Sequence, residues 1–251
     1  MRIYLAVTSC HYTGYDMMKG CDILSSYFYC KNIPELTAVI PETRDFMLDS
    51  GVFSFINSGK KVDYDRYIHE YADYIKENNI RAYVELDVDQ LIGVKDTRKL
   101  RDRLEGLVGW RSISVWHTIR GKESFLQDSR DYPRICLGYY LTEGLPPQLT
   151  EKWTPWFIDT AHANNCRIRG LGFTKTKLLP RFHFDSVDSS TWSFGQRSGA
   201  IAKFDPHTKT VVQIPRPEGK RISSYAGIMR HNFHQWHLYQ NWARENLPVI
   251  W

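Results

Sequence analysis

The alternation of short apolar runs with longer amphipathic segments constrains the fold of this chain most strongly. Seven runs have the length of a β-strand, at residues 3–7, 45–48, 81–86, 112–116, 134–140, 167–173 and 182–187. Segments with apolar residues at helical spacing lie between them, at residues 64–78, 97–108 and 149–164. Strands that alternate with helices pair in parallel through right-handed crossovers. The pattern therefore predicts an α/β fold with a parallel sheet.

An eight-stranded barrel accommodates this number of strands. Residues 23–29 can supply the strand that the seven runs lack, and 251 residues is an ordinary length for one α/β barrel domain. A hydrophobic content of 42% is enough for a complete core. We predict a single-domain (β/α)8 TIM-like barrel over residues 1–251, with an open doubly wound sheet as the alternative.

The pattern changes after the last run. Residues 199–205 and 208–214 are two strand-like segments joined by a short turn that contains Pro206 and His207. This arrangement is typical of a β-hairpin. An aromatic-rich segment with helical character follows at residues 225–245. We therefore predict a β-hairpin insertion near the C-terminus of the barrel.

The tripeptide Asp49-Ser50-Gly51 follows the run at 45–48, where a strand should end. The carboxyl ends of strands are where α/β barrels carry their catalytic groups. Gly51 would let the backbone approach a ligand closely, and Phe53 would offer a ring face. Asp-Ser-Gly is also common turn chemistry, so a purely structural turn is the alternative.

Two further carboxylates, those of Asp185 and Asp188, lie at the end of the run at 182–187, and a serine follows each. One of them could meet Asp49 on a common substrate. Alternation does not choose between them, because a step of three residues changes the face only if the strand continues that far. An Asx turn or a capping box is the structural alternative.

Other polar residues and glycines also stand at predicted strand ends. Asp87 alternates with apolar neighbours, and an acidic group inside a barrel is costly unless it binds a partner. His117 ends the next run and is a candidate hydrogen-bonding group for a ligand, although a lone histidine is more often a structural donor. Gly138 and Gly172 interrupt later runs, which indicates close approach by a ligand or by another backbone segment.

Basic and aromatic residues are interleaved around the last run. This set comprises Lys175, Lys177, Arg181, Trp192, Arg197 and Lys203. Such a mixture suits a nucleic-acid backbone with an unstacked base, and the formal net charge of +5 is compatible with a polyanionic partner. A solvated basic surface is the alternative interpretation.

Several protein classes fit the sequence poorly. The five cysteines are odd in number and lack Cys-x-x-Cys spacing, so we expect reduced thiols and a cytoplasmic location. No run approaches the roughly 20 apolar residues that span a bilayer, so we expect no membrane partner. His231, His234 and His237 lack a completing cysteine or carboxylate, so we expect a structural helix and no metal site.

Several of these motifs, in this order, resemble those of the tRNA-guanine transglycosylase superfamily. Asp49-Ser50-Gly51-Val52-Phe53 resembles its Asp-Ser-Gly-Gly-aromatic motif, and Leu86-Asp87-Val88 is similar to its Leu/Phe-Asp motif. Trp116-His117 stands where the family has Val-Gln-Gly, with His117 in place of glutamine. Leu137-Gly138-Tyr139 looks like its Gly-Gly-Leu motif with the second glycine lost.

The region of the family's nucleophile is matched as well. Arg169-Gly170-Leu171-Gly172 resembles the glycine-containing strand that precedes it, and Val187-Asp188-Ser189-Ser190-Thr191-Trp192 resembles Phe-Asp-Ser-Ala-Ser-Tyr. Phe184-Asp185-Ser186-Val187 fits almost as well, so Asp185 remains an alternative nucleophile. The family's zinc-binding cysteines are missing, because no cysteine follows Cys166. The resemblance is therefore closest to the short phage (DpdA-type) enzymes that insert 7-deazaguanines into DNA.

This resemblance implies a DNA-guanine transglycosylase that exchanges guanine in duplex DNA for a free 7-deazaguanine base, with the target base flipped out and no cofactor. Asp188 would form a covalent Asp–sugar intermediate, and Asp49 would act as general acid and base. The expected base-binding residues are Ser50, Gly51, Phe53, Asp87, His117, Gly138, Tyr139 and Gly172. A tRNA-guanine transglycosylase, a barrel glycosidase and a non-catalytic nucleic-acid-binding barrel are the alternatives.

Overall fold

A single curled sheet of eight parallel strands forms the centre of the molecule. The computed structural model describes residues 1–8, 14–52, 54, 62–138, 147–173, 175–219 and 224–247. The strands are β1 (Arg2–Val7), β2 (Asp22–Ser26), β3 (Asp45–Asp49), β4 (Ala82–Tyr83), β5 (Ser114–Trp116), β6 (Arg134–Leu137), β7 (Arg167–Gly170) and β8 (Ser186–Ser189). They lie side by side in the order β4-β3-β2-β1-β8-β7-β6-β5.

The two edge strands of this sheet, β4 and β5, meet through one parallel bridge between Val84 and Ile113. The Ile113 amide donates to the Tyr83 carbonyl at 2.8 Å, and the Glu85 amide donates to the Ile113 carbonyl at 3.1 Å. The strands therefore follow one another around a ring in chain order. This confirms the predicted TIM-like α/β architecture over the doubly wound alternative.

Helices connect the strands on the outside of the ring. They are α1 (Tyr27–Cys30), α2 (Pro34–Ala38), α3 (Tyr64–Glu77), α4 (Asp89–Ile92), α5 (Val94–Val108), α6 (Gly121–Asp131), α7 (Pro147–Ala163), α8 (Gly195–Ser198) and α9 (Tyr225–Asn246). The three helices predicted between strands are present as α3, α5 and α7. Helix α6 was not predicted, because its sequence GKESFLQDSRD offers few apolar residues to define a face.

Helix α3 shows how the sequence specifies this outer layer. The Asp63 side chain accepts a hydrogen bond from the Arg66 amide and caps the helix at its N-terminus. Tyr71 lies fully buried on the apolar face of α3. Its hydroxyl lies 3.1 Å from the Leu48 carbonyl and 3.0 Å from the Val84 carbonyl. These contacts fix α3 against β3 and the end of β4.

The predicted hairpin is present as β9 (Ile201–Asp205) and β10 (Thr210–Ile214), which pair antiparallel. Helix α9 follows and packs against both the hairpin and β1. The Asn232 side chain accepts from the Ala202 amide at 2.7 Å, and the Gln240 amide group donates to the Ile3 carbonyl at 2.5 Å. The two C-terminal elements therefore cover the wall next to β1. Within the described residues, no helix is long and apolar enough to span a membrane.

Side chains alternate along each strand between the outer layer and the interior of the ring. The interior holds a separate apolar cluster formed by Tyr4, Leu24, Met47, Ala82, Val84, Ile113, Val115 and Cys136. Arg169 of β7 and Asp188 of β8 point to the same side, since Arg169 contacts both the Met47 sulfur and the Asp188 carboxylate. A buried ion pair therefore lies among the apolar side chains of the barrel interior.

Candidate active site at the carboxyl end of the barrel

Several of the predicted site residues lie at the carboxyl end of the parallel sheet. Asp49 is the last residue of β3, and Asp188 lies near the end of β8. Asp87 follows β4, His117 directly follows β5, and Gly138 directly follows β6. The charges of Asp87 and Asp188 act on Asp49, so the three carboxylates share one electrostatic environment. This is the end at which α/β barrels carry their active sites.

Within the described part of the chain, one oxygen of the Asp188 carboxylate accepts hydrogen bonds and the other does not. Oδ1 accepts from Nη2 of Arg169 at 2.6 Å and from the Gly172 amide at 2.9 Å. Oδ2 has no hydrogen bond to any residue that the structure describes. Asp188 is 7% exposed, so its orientation is determined by protein groups more than by water. A carboxylate held in this way is suited to attack through its free oxygen.

Arg169 supplies the countercharge for Asp188. Its side chain is buried, with the residue 2% exposed. Burial lowers the pKa of Arg169 but the adjacent Asp188 raises it, with a net rise, so the guanidinium remains charged. The sequence motifs assigned no role to Arg169. A charged residue at an inward-facing strand position, here between Ile168 and Gly170, is nevertheless a signal by which it could have been recognised.

Asp49 differs from Asp188 because it has no direct ion pair among the described residues. Its Oδ1 accepts from the Gly51 amide at 2.8 Å. Burial raises the pKa of Asp49, and the neighbouring Asp87 and Asp188 raise it further, although Gly51 and Arg169 oppose the shift. Asp49 is therefore easier to protonate than an ordinary aspartate, as a general acid requires.

Gly51 is a glycine for a structural reason. Its φ is +71°, and a Cβ at this position would lie 2.8 Å from the Phe28 amide nitrogen at the start of α1. Only glycine fits this backbone conformation beside α1. The preceding Ser50 is buried, and its carbonyl accepts from the Tyr67 hydroxyl at 2.5 Å. These contacts hold the turn that carries Asp49.

Asp87 and His117 form a second pair. Nε2 of His117 lies 2.8 and 2.9 Å from the two Asp87 oxygens. His117 is 2% exposed. Its ring packs directly on Gly138, where a Cβ would come within 2.4 Å of His117 Cε1. Gly138 is therefore required for the histidine to reach Asp87.

The segment that carries Asp87 is anchored by buried charges on either side. Nη1 of Arg120 donates to Glu85 at 2.8 Å, and Nε donates to Asp89 at 2.5 Å. Glu85 also accepts from the Val115 amide at 2.6 Å. Glu85 and Asp89 thus have protein partners, and Asp87 alone of the three acidic residues pairs with a titratable histidine. Arg120 could not be found from local sequence, because it is 31 residues from Asp89.

Asp185 lies at the other end of the barrel from Asp49. It precedes β8, and its carbonyl accepts from the amide of Arg2, the first residue of β1, at 2.9 Å. Its carboxylate accepts from the Ile168 amide at 2.7 Å and lies 3.1 Å from Nε2 of His162. The structure therefore places Asp188, and not Asp185, beside the other candidate catalytic groups.

Trp192 occupies the core rather than the surface. It is 1% exposed. Its indole nitrogen donates to the Ala6 carbonyl at 2.8 Å, and its ring packs edge-to-face on Phe233. These contacts leave no open ring face for a nucleic-acid base. We therefore exclude Trp192 from the candidate nucleic-acid surface.

Lys175, Lys177, Arg181 and Lys203 are exposed. The Thr176 hydroxyl accepts from the Val211 amide of β10 at 3.3 Å, which places the two flanking lysines beside the hairpin. Lys175 also lies 3.6 Å from Glu151.

Three of the predicted site residues lie wholly or partly outside the residues that the structure describes. Phe53 and Tyr139 are not among the described residues, and the side chain of Arg197 is not described either.

Within the described ranges, no group of three or more His, Cys, Asp or Glu side chains could hold a metal ion. Comparison with models of known protein families finds no match, and comparison with curated proteins finds none either. The arrangement of the residues themselves therefore carries the functional interpretation.

Proposed function

We propose that this protein is a DNA-guanine transglycosylase that exchanges guanine for a 7-deazaguanine base. The observation that carries the proposal is the contrast between two aspartates at one end of the barrel. Asp188 is ion-paired and has one oxygen without a hydrogen bond to the described residues, whereas the pKa of Asp49 is raised by burial. A nucleophile and a proton donor are the two groups that a base exchange through a covalent intermediate requires.

In the first step, the free oxygen of Asp188 attacks C1′ of the flipped-out deoxyguanosine. A bond forms between Oδ2 and C1′, and the bond between C1′ and the guanine nitrogen breaks. The electron pair of the broken bond goes to the departing guanine, which takes a proton from Asp49. Arg169 and the Gly172 amide hold the other oxygen of Asp188 during the attack.

The second step reverses these roles with a different base. Asp49, now ionised, removes a proton from the incoming 7-deazaguanine. The base nitrogen attacks C1′, and the ester bond to Asp188 breaks with its electron pair returning to the carboxylate. Both aspartates are then in their starting states, so the cycle consumes no cofactor.

Asp87 is the proposed contact for the Watson–Crick edge of the base. A carboxylate has about four lone-pair sites, so Asp87 can accept from guanine while His117 remains bound to it. Guanine and 7-deazaguanines share this edge. One recognition group therefore serves both the leaving and the entering base.

DNA is the proposed polymer for two reasons. The chain has no cysteine after Cys166 and so lacks the zinc-binding motif of the tRNA enzymes that it resembles. The exposed lysines beside the hairpin can neutralise the backbone phosphates of such a polymer.

The test is incorporation of a labelled 7-deazaguanine, such as the 7-cyano form, into duplex DNA and into tRNA in parallel. We expect label in DNA alone, no label with Asp188→Asn, and label with the matched control Asp185→Asn. Label in tRNA alone would assign the protein to the tRNA enzymes. Label in neither, with several precursors, would favour a non-catalytic nucleic-acid-binding barrel.

A further inference from the structure

A cavity opens at the amino end of the barrel, opposite the candidate active site. Its volume is about 390 Å³. Three arginines that begin strands line it, namely Arg2 of β1, Arg134 of β6 and Arg167 of β7. Among the described residues, none that would contact the base in the proposed exchange lines this cavity, although Arg169, which holds Asp188, does.

The charge of the lining is strongly positive. Its charged side chains are Arg2, Arg134, Arg167, Arg169, Arg244 and Asp185. Three of the arginines have carboxylate partners elsewhere, since Arg2 pairs with Asp45, Arg244 with Asp22 and Arg169 with Asp188. The guanidinium of Arg134 makes no hydrogen bond or ion pair within the described part of the chain. An unbalanced positive charge therefore faces the cavity.

The placement of Arg134 and Arg167 strengthens this conclusion. The two residues are direct partners in the register of β6 and β7. Backbones of neighbouring strands lie about 4.8 Å apart, and like charges at paired positions are destabilising. An anion bound between the two guanidinium groups would remove this repulsion.

Arg169 provides a second, independent indication of a ligand. It lines the inner part of the cavity, and its Nε–H is buried without a hydrogen-bond partner among the described residues. Leaving a buried donor unpaired costs about 1–3 kcal/mol, more for a charged group. A ligand oxygen that reaches this depth would satisfy the donor.

The other residues that line the cavity indicate what kind of ligand it fits. Tyr4, Met47 and Ile113, which belong to the apolar cluster inside the barrel, also line the cavity. The cavity volume falls within the range of about 300–1,000 Å³ that holds small organic ligands. An inorganic ion alone would leave this inner part of the cavity unfilled.

We propose that this cavity binds a phosphate monoester of mononucleotide size. Arg134 and Arg167 bind the phosphate through their planar donor forks, and the organic body enters the barrel towards Arg169. Binding here uses neither Asp49 nor Asp87, and Arg169 is the residue that the cavity shares with the proposed base exchange.

Isothermal titration calorimetry with inorganic phosphate and with adenosine monophosphate tests the proposal. Adenine replaces guanine in the probe to avoid the base recognised at the other end. At about 0.15 M salt, where exposed charges are screened, we expect the ester to bind more tightly than phosphate. Arg134→Gln should weaken binding of the ester by about tenfold or more, as expected when a charge-assisted hydrogen bond is removed.

Two further variants make the result decisive. Arg167→Gln, on the neighbouring strand, should weaken binding to a similar extent. Arg130→Gln, an exposed arginine on α6, is the matched control and should change the dissociation constant less than twofold. The proposal is overturned if the wild type binds neither probe or binds phosphate but not the ester. Equal losses of affinity in Arg134→Gln and Arg130→Gln would also overturn it.

Discussion

Arg169 and Asp188 form a buried ion pair inside the barrel, with Nη2 of the guanidinium 2.6 Å from Oδ1 of the carboxylate. The two residues lie on neighbouring strands, and both side chains point inward. The pair leaves Oδ2 of Asp188 without a hydrogen bond among the described residues. The orientation of the proposed nucleophile therefore depends on a residue that need not touch the substrate.

Replacing Arg169 by Met should destabilise the protein. The change leaves the Asp188 carboxylate buried without its countercharge, which we expect to lower the free energy of unfolding by about 3–5 kcal/mol. The double variant Arg169→Met/Asp188→Leu removes both charges and should be more stable than the single variant. Urea denaturation measures both values. A single variant within about 0.5 kcal/mol of wild type would show that the pair contributes little.

Asp49 should make the free energy of unfolding depend on pH. Its pKa in the folded protein is raised by burial, so its contribution to stability is complete below about pH 4, the ordinary value for aspartate. That contribution is lost as the pH rises through the folded pKa. As the pH rises, the free energy of unfolding of the wild type should therefore fall relative to that of Asp49→Asn. The fall should be about 1.4 kcal/mol for each unit by which the folded pKa exceeds the unfolded value.

The measurement is urea denaturation of wild type and Asp49→Asn in parallel between pH 4 and pH 8. Asparagine keeps an acceptor for the Gly51 amide, so the difference between the two curves reports the charge. A difference that does not change with pH would show that Asp49 has an ordinary pKa.

Gly138→Ala should disrupt base recognition through His117. The added Cβ would lie 2.4 Å from His117 Cε1, so the ring must move away from Asp87. We expect the free energy of unfolding to fall by about 1–3 kcal/mol because of overpacking. A rise in KM for the incoming base should exceed any fall in kcat, because the proposed function assigns Asp87 and His117 to binding the base and not to the reaction.

Gly106→Ala is the matched control for this substitution. Gly106 lies within α5, and a Cβ there would meet nothing within 4 Å. This variant should be more stable by about 0.5–1 kcal/mol, the helix propensity difference, with unchanged KM. Equal effects of both variants would remove the role assigned to Gly138.

The exposed lysines beside the hairpin should contribute to DNA affinity through phosphate binding. For Lys177→Gln or Lys203→Gln, the slope of log K against log salt should become shallower by about 0.9 for each phosphate that is no longer neutralised. Lys99→Gln, on the surface of α5, is the control and should leave the slope unchanged. Fluorescence anisotropy with a duplex at several salt concentrations measures this. Identical slopes in all variants would place the DNA elsewhere.

The barrel could be predicted from the sequence because apolar runs and amphipathic helices alternate clearly along the chain. Strand ends were less accurate. The last strand was predicted at 182–187 but lies at Ser186–Ser189. Phe182 and Phe184 pack against Phe173 instead of extending the strand. This shift of the strand separates Asp188 from Asp185, which alternation alone could not do.

Contacts between side chains on different strands and helices could not be predicted from the sequence. The pairing of Arg169 with Asp188 depends on the register of β7 and β8, and no local pattern reports register. The burial of Trp192 depends on the position of α9, which packs Phe233 against it. Its neighbouring basic residues suggested a surface role, because composition does not distinguish an exposed aromatic ring from a buried one.

The central claim is that Asp188 forms a covalent bond with deoxyribose. The most direct measurement is denaturing electrophoresis after incubation with duplex DNA in the absence of an incoming base, followed by mass spectrometry of the adduct. We predict a denaturation-resistant complex with the sugar attached to Asp188, absent in Asp188→Asn and retained in Asp185→Asn. Attachment at another residue, or turnover by Asp188→Asn at the wild-type rate, would contradict this account.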